Sequence, residues 1–200
     1  MTSPNSNNSS ENYFAEIIES SISNFTAQSW QWNFFPNFGS LVQVETKRHM
    51  TLGIVTQIQT GSMDPMRYPF AYQKTEEELM TEQPQIFEFL KTTFKVQIVG
   101  YLKEKKISHL LPSQPCQIHA FVRNALKETE NAFFKNADFM NLLFSFSSDI
   151  TNLDELLLAI LQQLKNKNML NIEKLDNICK TFSLLTGNDY RRLKLFLKRV

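Results

Sequence analysis

Both cysteines and two of the three histidines are candidate metal ligands. Cys116 and His119 form a Cys-x-x-His pair, and His109 and Cys179 could complete a set of four. A structural zinc site needs four such ligands at one point, and the chain has no second CxxC or HxxxH motif to supply them. Cysteine without a disulfide commonly behaves as a small core residue. We therefore expect structural roles for these side chains and predict no metal site.

Catalytic and nucleotide-binding motifs are missing from the sequence. It contains neither a Gly-x-Ser-x-Gly nucleophile elbow nor a G-x-x-x-x-G-K-[ST] phosphate loop. Glu76, Glu77, Glu78 and Glu82 could supply paired carboxylates, but acidic residues at a helix start are explained by capping and by the helix dipole. We predict no catalytic residue and no cofactor, and expect a protein that is not an enzyme.

A long loop over residues 61–73 (GSMDPMRYPFAYQ) combines cationic and aromatic side chains. Arg67, Tyr68, Phe70 and Tyr72 alternate there with two prolines. Long loops on rigid scaffolds often carry function, and Arg with aromatics is typical of interface anchors. These four residues are candidate partner contacts. In the alternative interpretation, the aromatic side chains pack the loop onto the mouth of a barrel.

The C-terminal segment is locally basic. Its candidate contacts for nucleic acid are Arg191, Arg192, Lys194, Lys198 and Arg199. An amphipathic basic helix could meet phosphates or an acidic partner. In the alternative interpretation, the same cations form a solvated face, stabilised by the dipole near a helix C-terminus.

Composition predicts a globular protein without a bulk preference for polyanions. The chain has 200 residues, 42% of them apolar, and 17 are Phe, which is ample material for a core. The formal net charge is +1, so nucleic acid or an anionic membrane has no overall electrostatic pull on the chain.

Targeting signals and cysteine usage favour a soluble protein in a reducing compartment. No apolar run approaches the roughly 20 residues of a membrane span. Residues 1–10 lack a basic start followed by an apolar stretch, and we expect a disordered tail there. Two cysteines far apart do not predict a disulfide framework. We expect a bacterial cytoplasm or a plastid stroma, the latter because abundant Asn, Lys, Ile and Phe indicate an A/T-rich gene.

The first half of the chain is predicted to form strands, and a barrel domain over residues 11–117. Alternating and β-branched residues place strands at 13–19, 25–32, 40–45, 50–60, 95–102 and 107–111. Val42 and Val44 should share one face, with Gln43 and Glu45 on the other. An insertion at 61–92 should hold a helix over 76–81, capped by Thr75 and Glu78, and a second at 85–92.

The second half, residues 118–200, is predicted to be helical. Leucine spacing gives helices at 150–165 and 172–185, and a third follows residue 188 or 189. Thr151 with Asp154 should cap the first of these, and Gly187 should end the second. Helices are also expected at 120–131 and 132–146. The predicted fold class is α+β, an antiparallel barrel with a helical insertion followed by an all-α region.

The strand section resembles the HAS-barrel, a six-stranded barrel at the N-terminus of HerA-type ATPases and of the α and β subunits of F-type ATP synthase. The resemblance rests on Gly39, Gly53 and Gly100 and on the exit at Pro112 and Pro115. The strings that carry it are FGSLVQVE, TLGIVTQI, VQIVGYL and LPSQPCQIHAFV. The longer strings also resemble a family of HAS-barrel proteins from cyanobacteria and plastids: GSMDPMRYPFAYQKTEEEL, QPQIFEFL and GNDYRRLKLFL.

The resemblance implies a barrel that packs against neighbouring barrels, and it does not extend to ATPase activity. HerA-type proteins carry a phosphate loop after the barrel, and this chain has none. We expect a non-enzymatic interaction or assembly module that binds a protein partner or a second copy of itself. The alternative is a nucleic-acid-associated protein that uses the basic C-terminal helix.

Overall fold

The computed structural model describes residues 13–64, 66 and 70–199, and within them the fold is α+β, as predicted. The tail predicted for residues 1–10 lies outside the described residues. The strands are β1 Ala15–Ser20, β2 Asn24–Ser29, β3 Leu41–Glu45, β4 Met50–Ser62, β5 Leu90–Lys103, β6 Lys106–Ser108 and β7 Phe121–Asn124. The helices are α1 Glu76–Glu82, α2 Gln85–Glu88, α3 Lys127–Phe133, α4 Phe139–Ser145, α5 Leu153–Asn166, α6 Ile172–Leu185 and α7 Tyr190–Leu197, with a 3-10 turn at Ser147–Asp149.

Six of the strands close into an antiparallel barrel. The ring runs β1-β2-β5-β4-β3-β7 and returns to β1, because β2 pairs with β5 and β7 pairs with both β1 and β3. Strand β6 only extends β5 as a short hairpin outside the ring. The closed six-stranded antiparallel barrel that the sequence predicts is confirmed, but its sixth strand is β7, and the strand predicted at 107–111 shortens to β6 outside the ring.

Apolar side chains fill the inside of the barrel. Inward-facing residues of all six ring strands form one buried cluster, and this packing closes the interior. Its members are Phe14, Ala15, Ile17, Phe25, Ala27, Val42, Val44, Val55, Phe94, Val96, Ile98, Cys116 and Val122.

The C-terminal helices cover part of the outer face of the barrel. Leu41, Leu52, Ile54 and Val99 belong to the same buried cluster as the apolar faces of α3 to α7. Strands in this region are therefore buried on both faces. Val42 and Val44 share the interior face and Gln43 lies on the other face, as predicted. The helical region covers that face, so Gln43 is only 1% exposed, and its Oε1 accepts a hydrogen bond from the Leu126 N–H at 3.2 Å.

Aromatic contacts and a buried ion pair hold the helical region together. Phe182 of α6 and Phe196 of α7 stack with ring centroids 4.7 Å apart. Glu130 of α3 is buried, and its carboxylate accepts a hydrogen bond from Lys167 Nζ at 2.6 Å. A buried carboxylate needs such a partner, so the pair fixes α3 against the end of α5.

Two predicted element boundaries are wrong for tertiary reasons. Residues 121–124, predicted as helix, form β7, where Val122 pairs with both Ala15 and Val44. The barrel therefore continues past the predicted boundary at residue 117; the division of the chain into two domains stays a prediction. Residues 90–92, predicted as the end of a helix, begin β5, because they continue the β4 ladder.

Most local capping signals are confirmed. Thr75 and Glu78 form the predicted capping box, and Gly187 follows α6 with φ +66°. Asp189 caps α7 by accepting from the Arg192 N–H at 3.0 Å. The cap of α5 lies one residue later than predicted, because Asn152 Oδ1 accepts the Glu155 N–H.

No helix in the described part of the chain has both the length and the hydropathy that a bilayer crossing requires.

We expect Gly100→Ala to lower the free energy of unfolding by about 1–3 kcal/mol, as overpacking usually does. A Cβ at Gly100 would lie 2.5 Å from the backbone oxygen of Ser108, which no side-chain rotation relieves. Gly61→Ala is the matched control, because a Cβ there meets nothing within 4 Å. Urea unfolding followed by circular dichroism measures both variants. Equal stability of the two would contradict the packing described for β5 and β6.

Candidate functional site

The structure separates the predicted metal-ligand candidates. Cys116 lies in the barrel interior cluster, whereas Cys179 lies on α6 in the helical region. His109 packs against Phe133 with ring centroids 4.7 Å apart, and His119 hydrogen-bonds Glu16 at the surface. Among the described residues, no group of three or more His, Cys, Asp and Glu side chains could hold a metal ion. Burial raises the pKa of both thiols, which disfavours the thiolate that a metal or an electrophile would need.

The segment from the end of β4 to the start of β5 projects from the barrel in its described residues, 61–64, 66 and 70–89, and we call these the arm. The β4–β5 ladder carries it outward through pairs that end at Ser62 and Leu90. Helices α1 and α2 lie between these ends, and neither contains a buried residue. The arm therefore gains little stability from the core beneath it.

Local interactions and one aromatic stack hold the arm in place. Thr75 Oγ1 accepts from the Glu78 N–H, and the Glu78 carboxylate accepts from the Thr75 N–H. At the base, the Trp32 ring stacks on Phe87 with centroids 5.4 Å apart and an interplanar angle of 22°. The Thr92 hydroxyl also hydrogen-bonds the Trp32 carbonyl. These contacts fix the direction of the arm while its outer surface stays in solvent.

Large apolar side chains cover the exposed surface of the arm. Met66 is 89% exposed and Phe70 is 79% exposed, and Tyr72 and Met80 are also exposed. Phe70 and Tyr72 are two of the four predicted partner contacts; the other two, Arg67 and Tyr68, lie outside the described residues. The alternative interpretation, in which the loop aromatics pack onto the barrel, does not describe Phe70.

A second exposed aromatic surface lies beside the base of the arm, at residues 30–35, which we call the aromatic loop. Trp30, Phe34 and Phe35 are exposed, and the Trp30 ring meets the edge of Phe121 at 5.3 Å. Sequence reasoning missed this surface because it assigned residues 30–32 to the end of the strand predicted at 25–32 and no contact role to residues 33–35. The signal was four aromatic residues among six, more than a turn can bury.

Acidic residues of α5 neutralise part of the basic C-terminal segment. The Arg192 guanidinium donates to both carboxylate oxygens of Asp154, at 3.0 and 2.7 Å, and lies 5.5 Å from the Phe182 ring centroid. Arg199 donates to Glu155 at 2.9 Å, which holds the pKa of that carboxyl below its ordinary value. Of the five predicted nucleic-acid contacts, Arg191, Lys194 and Lys198 remain exposed without such a pair in the described part of the chain.

A cleft of about 390 Å³ runs along α5, from Glu155 to Asn166. Phe38 and Leu158 contribute to its apolar surface, and the Glu155–Arg199 pair lies at its polar side. No histidine or cysteine lines it. The cleft therefore lacks the convergent reactive groups of an active site.

The chain matches no protein-family model, and no curated protein matches it significantly.

We expect the protein to lose stability as the pH falls from 7.5 to 5.5. Burial lowers the pKa of His109 below its ordinary value of about 6.5, although the nearby Asp138 opposes this shift. At this residue the unfolded chain therefore binds more protons than the folded chain near and just below about pH 6.5, so acidification favours unfolding. The free energy of unfolding, measured in urea at both pH values, should decline less for His109→Gln than for the wild type.

The control for this experiment is His119→Gln, which leaves the half-buried His109 in place and should keep most of the wild-type decline. If His109→Gln declines as steeply as the wild type, burial of its imidazole is not the cause of the acid sensitivity.

Proposed function

We propose that the protein is a non-enzymatic interaction or assembly module. In this proposal the barrel is a rigid platform, and the arm and the aromatic loop bind a protein partner. The observation that carries it is that two helices project from the barrel without a single buried residue.

Helix physics supports this proposal. Isolated helices shorter than about 12–15 residues are marginal in water, and most helices in proteins depend on burying an apolar face. Helix α1 has seven residues and α2 has four, and the contacts that stabilise them include a capping box, the Lys74–Glu82 ion pair and the Trp32–Phe87 stack. A partner that covers Met66, Phe70 and Met80 would supply the missing burial.

The residue types on this surface also suit protein binding. Large contiguous apolar surfaces on water-exposed proteins mark interaction sites, and aromatic residues and methionine are enriched at the centre of interfaces. On the arm, Glu76 and Glu77 lie beside Met80, and neither carboxylate has an ion pair within the described residues. Electrostatic complementarity then favours a partner surface that is apolar with a basic rim.

Family and location are part of the same proposal. We place the barrel with the HAS-barrel type and the protein in a cyanobacterial cytoplasm or a plastid stroma. The closed six-stranded antiparallel ring is compatible with that type. On this basis the partner would be another barrel-bearing complex or a second copy of the chain.

Nucleic-acid binding by α7 is the alternative function. Arg191, Lys194 and Lys198 are exposed on this helix and could contact phosphates. Arg192 and Arg199 are already bound to carboxylates of α5, which removes two of the five predicted contacts. Three surface cations on a chain of net charge +1 make this the less supported function.

We expect the double substitution Met66→Ser with Phe70→Ser to reduce the co-purifying partner roughly tenfold or more. Loss of a central apolar anchor commonly costs an interface over 1 kcal/mol, and tenfold in affinity corresponds to about 1.4 kcal/mol. The measurement is affinity purification from the native source with quantitative mass spectrometry. The variant should fold normally, since both side chains are exposed.

The matched control is Ile172→Ser with Leu184→Ser, which removes two equally exposed apolar side chains on α6. This control should retain the partner. A wild-type protein that captures nothing above background and stays monomeric would refute the proposed function.

We expect the wild-type protein to show no salt-sensitive binding to a single-stranded or duplex oligonucleotide at low ionic strength. Phosphate contacts weaken steeply with salt, so fluorescence anisotropy at two salt concentrations separates them from other binding. Tight binding that salt weakens, and that Arg191→Glu with Lys198→Glu abolishes, would favour the nucleic-acid function instead.

A further inference from the structure

Helix α7 exposes one continuous side, which we call the basic face. It consists of Tyr190, Arg191, Lys194, Leu195 and Lys198. These positions fall on one side of a helix with 3.6 residues per turn. The opposite side of α7 packs on α5 and α6 through Arg192, Leu193 and Phe196.

The basic face combines apolar area with unpaired charge. Tyr190 is 72% exposed and Leu195 is 64% exposed, so two large apolar side chains of this helix lie in solvent. Phe196 is the buried residue of α7. Its three cations make no ion pair within the described residues, whereas Arg192 and Arg199 on the inner side do. The basic face is therefore complementary to a surface that is both acidic and apolar.

Helix α1 presents such a surface, which we call the acidic face. Thr75, Glu76, Glu77 and Met80 line an open hollow on the arm. Glu78 is occupied by the capping box and Glu82 by Lys74, but no ion pair engages Glu76 or Glu77 in the described part of the chain. The hollow offers two carboxylates beside a methionine side chain.

The acidic face and the basic face of one molecule cannot contact each other. Both are exposed in the folded protein, and they lie on different parts of it. The arm leaves β5 at Leu90, whereas the helical region packs on β5 from Val99 onward, about 30 Å further along the strand at roughly 3.3 Å per residue. A contact between these faces therefore requires two molecules.

We infer that the acidic face of one copy docks on the basic face of a second copy of this chain. This inference rests on the proposed function and names the partner of the arm. Lys194 and Lys198 would meet Glu76 and Glu77, and Leu195 and Tyr190 would cover Met80. Because the two surfaces differ, each copy offers two contacts, which close reciprocally into a dimer or continue head-to-tail into a ring or a filament.

The contact belongs to the weak, transient class. Two short faces bury less than the roughly 1,200 Å² of a standard stable interface. Its charged pairs lie near the rim, so salt screens them over a Debye length of about 10 Å at 0.1 M. Assembly therefore depends on protein concentration and on ionic strength.

The test is sedimentation equilibrium of the full chain at concentrations of about 1 µM to 1 mM, the span of weak dissociation constants. In low salt, the mass should rise above the 23.3 kDa monomer to dimers or larger species, and high salt should reverse this. The variants Glu76→Lys with Glu77→Lys, and Lys194→Glu with Lys198→Glu, should each stay monomeric. A wild-type protein that remains monomeric at every concentration in low salt would overturn the inference.

Mixing the two charge-reversed variants provides the decisive readout. Each contact in the mixture again joins opposite charges, so assembly should return, which a folding defect in either variant would not allow. Failure of the mixture to assemble would overturn the inference. Lys47→Glu with Arg48→Glu reverses two exposed cations far in sequence from α7 and should assemble like the wild type.

Failure of self-association can be distinguished from failure of the proposed function. A monomeric protein that still loses a foreign partner on Met66→Ser with Phe70→Ser would refute self-association and leave the arm as an interaction surface. Copies that assemble only when an oligonucleotide is present would also refute the direct contact between the two faces.

Discussion

Pairing between β2 and β5 is the constraint on which the rest of the structure depends. Five residue pairs, from Asn24–Gln97 to Gln28–Thr93, turn an open sheet into a closed ring. Strand β5 is 14 residues long and also pairs with β4 and β6, so it is longer than the ring requires. Its first residues carry the arm outward, and its later residues support the helices. Strand β5 therefore closes the barrel, carries the arm and supports the C-terminal helices.

Two-sided burial explains the composition of the central strands. Val42, Val55 and Val96 face the barrel interior, while Leu41, Ile54 and Val99 face the helices. The helices need this outer surface because α3 and α4 are each only seven residues long. The helices in turn cover the outer apolar face of these strands, which would otherwise be exposed to water. The two clusters therefore stabilise each other, even though one is formed by strands and the other mainly by helices.

Signals that act within a few residues could be read from the sequence, and those that depend on distant partners could not. The capping box at Thr75, the stop at Gly187 and most strands are local features and are confirmed. Strand β7 has four residues, and its partners lie about 80 and 105 positions earlier in the chain, so no periodicity marked it. At the candidate site, the sequence pointed to Phe70 and Tyr72, but the pairing of Arg192 with Asp154 required the packing of α7 on α5.

The attachment of the arm through a single hairpin has an evolutionary consequence. Its ends meet at Ser62 and Leu90, so the ring closes without help from the residues between them. Loop-closure entropy grows only logarithmically, and doubling such a segment costs about 0.6 kcal/mol. Mutation can therefore lengthen, shorten or rewrite this appendage while selection on folding holds the barrel constant. Related chains should differ most there, and a lineage could acquire a new binding specificity without rebuilding its scaffold.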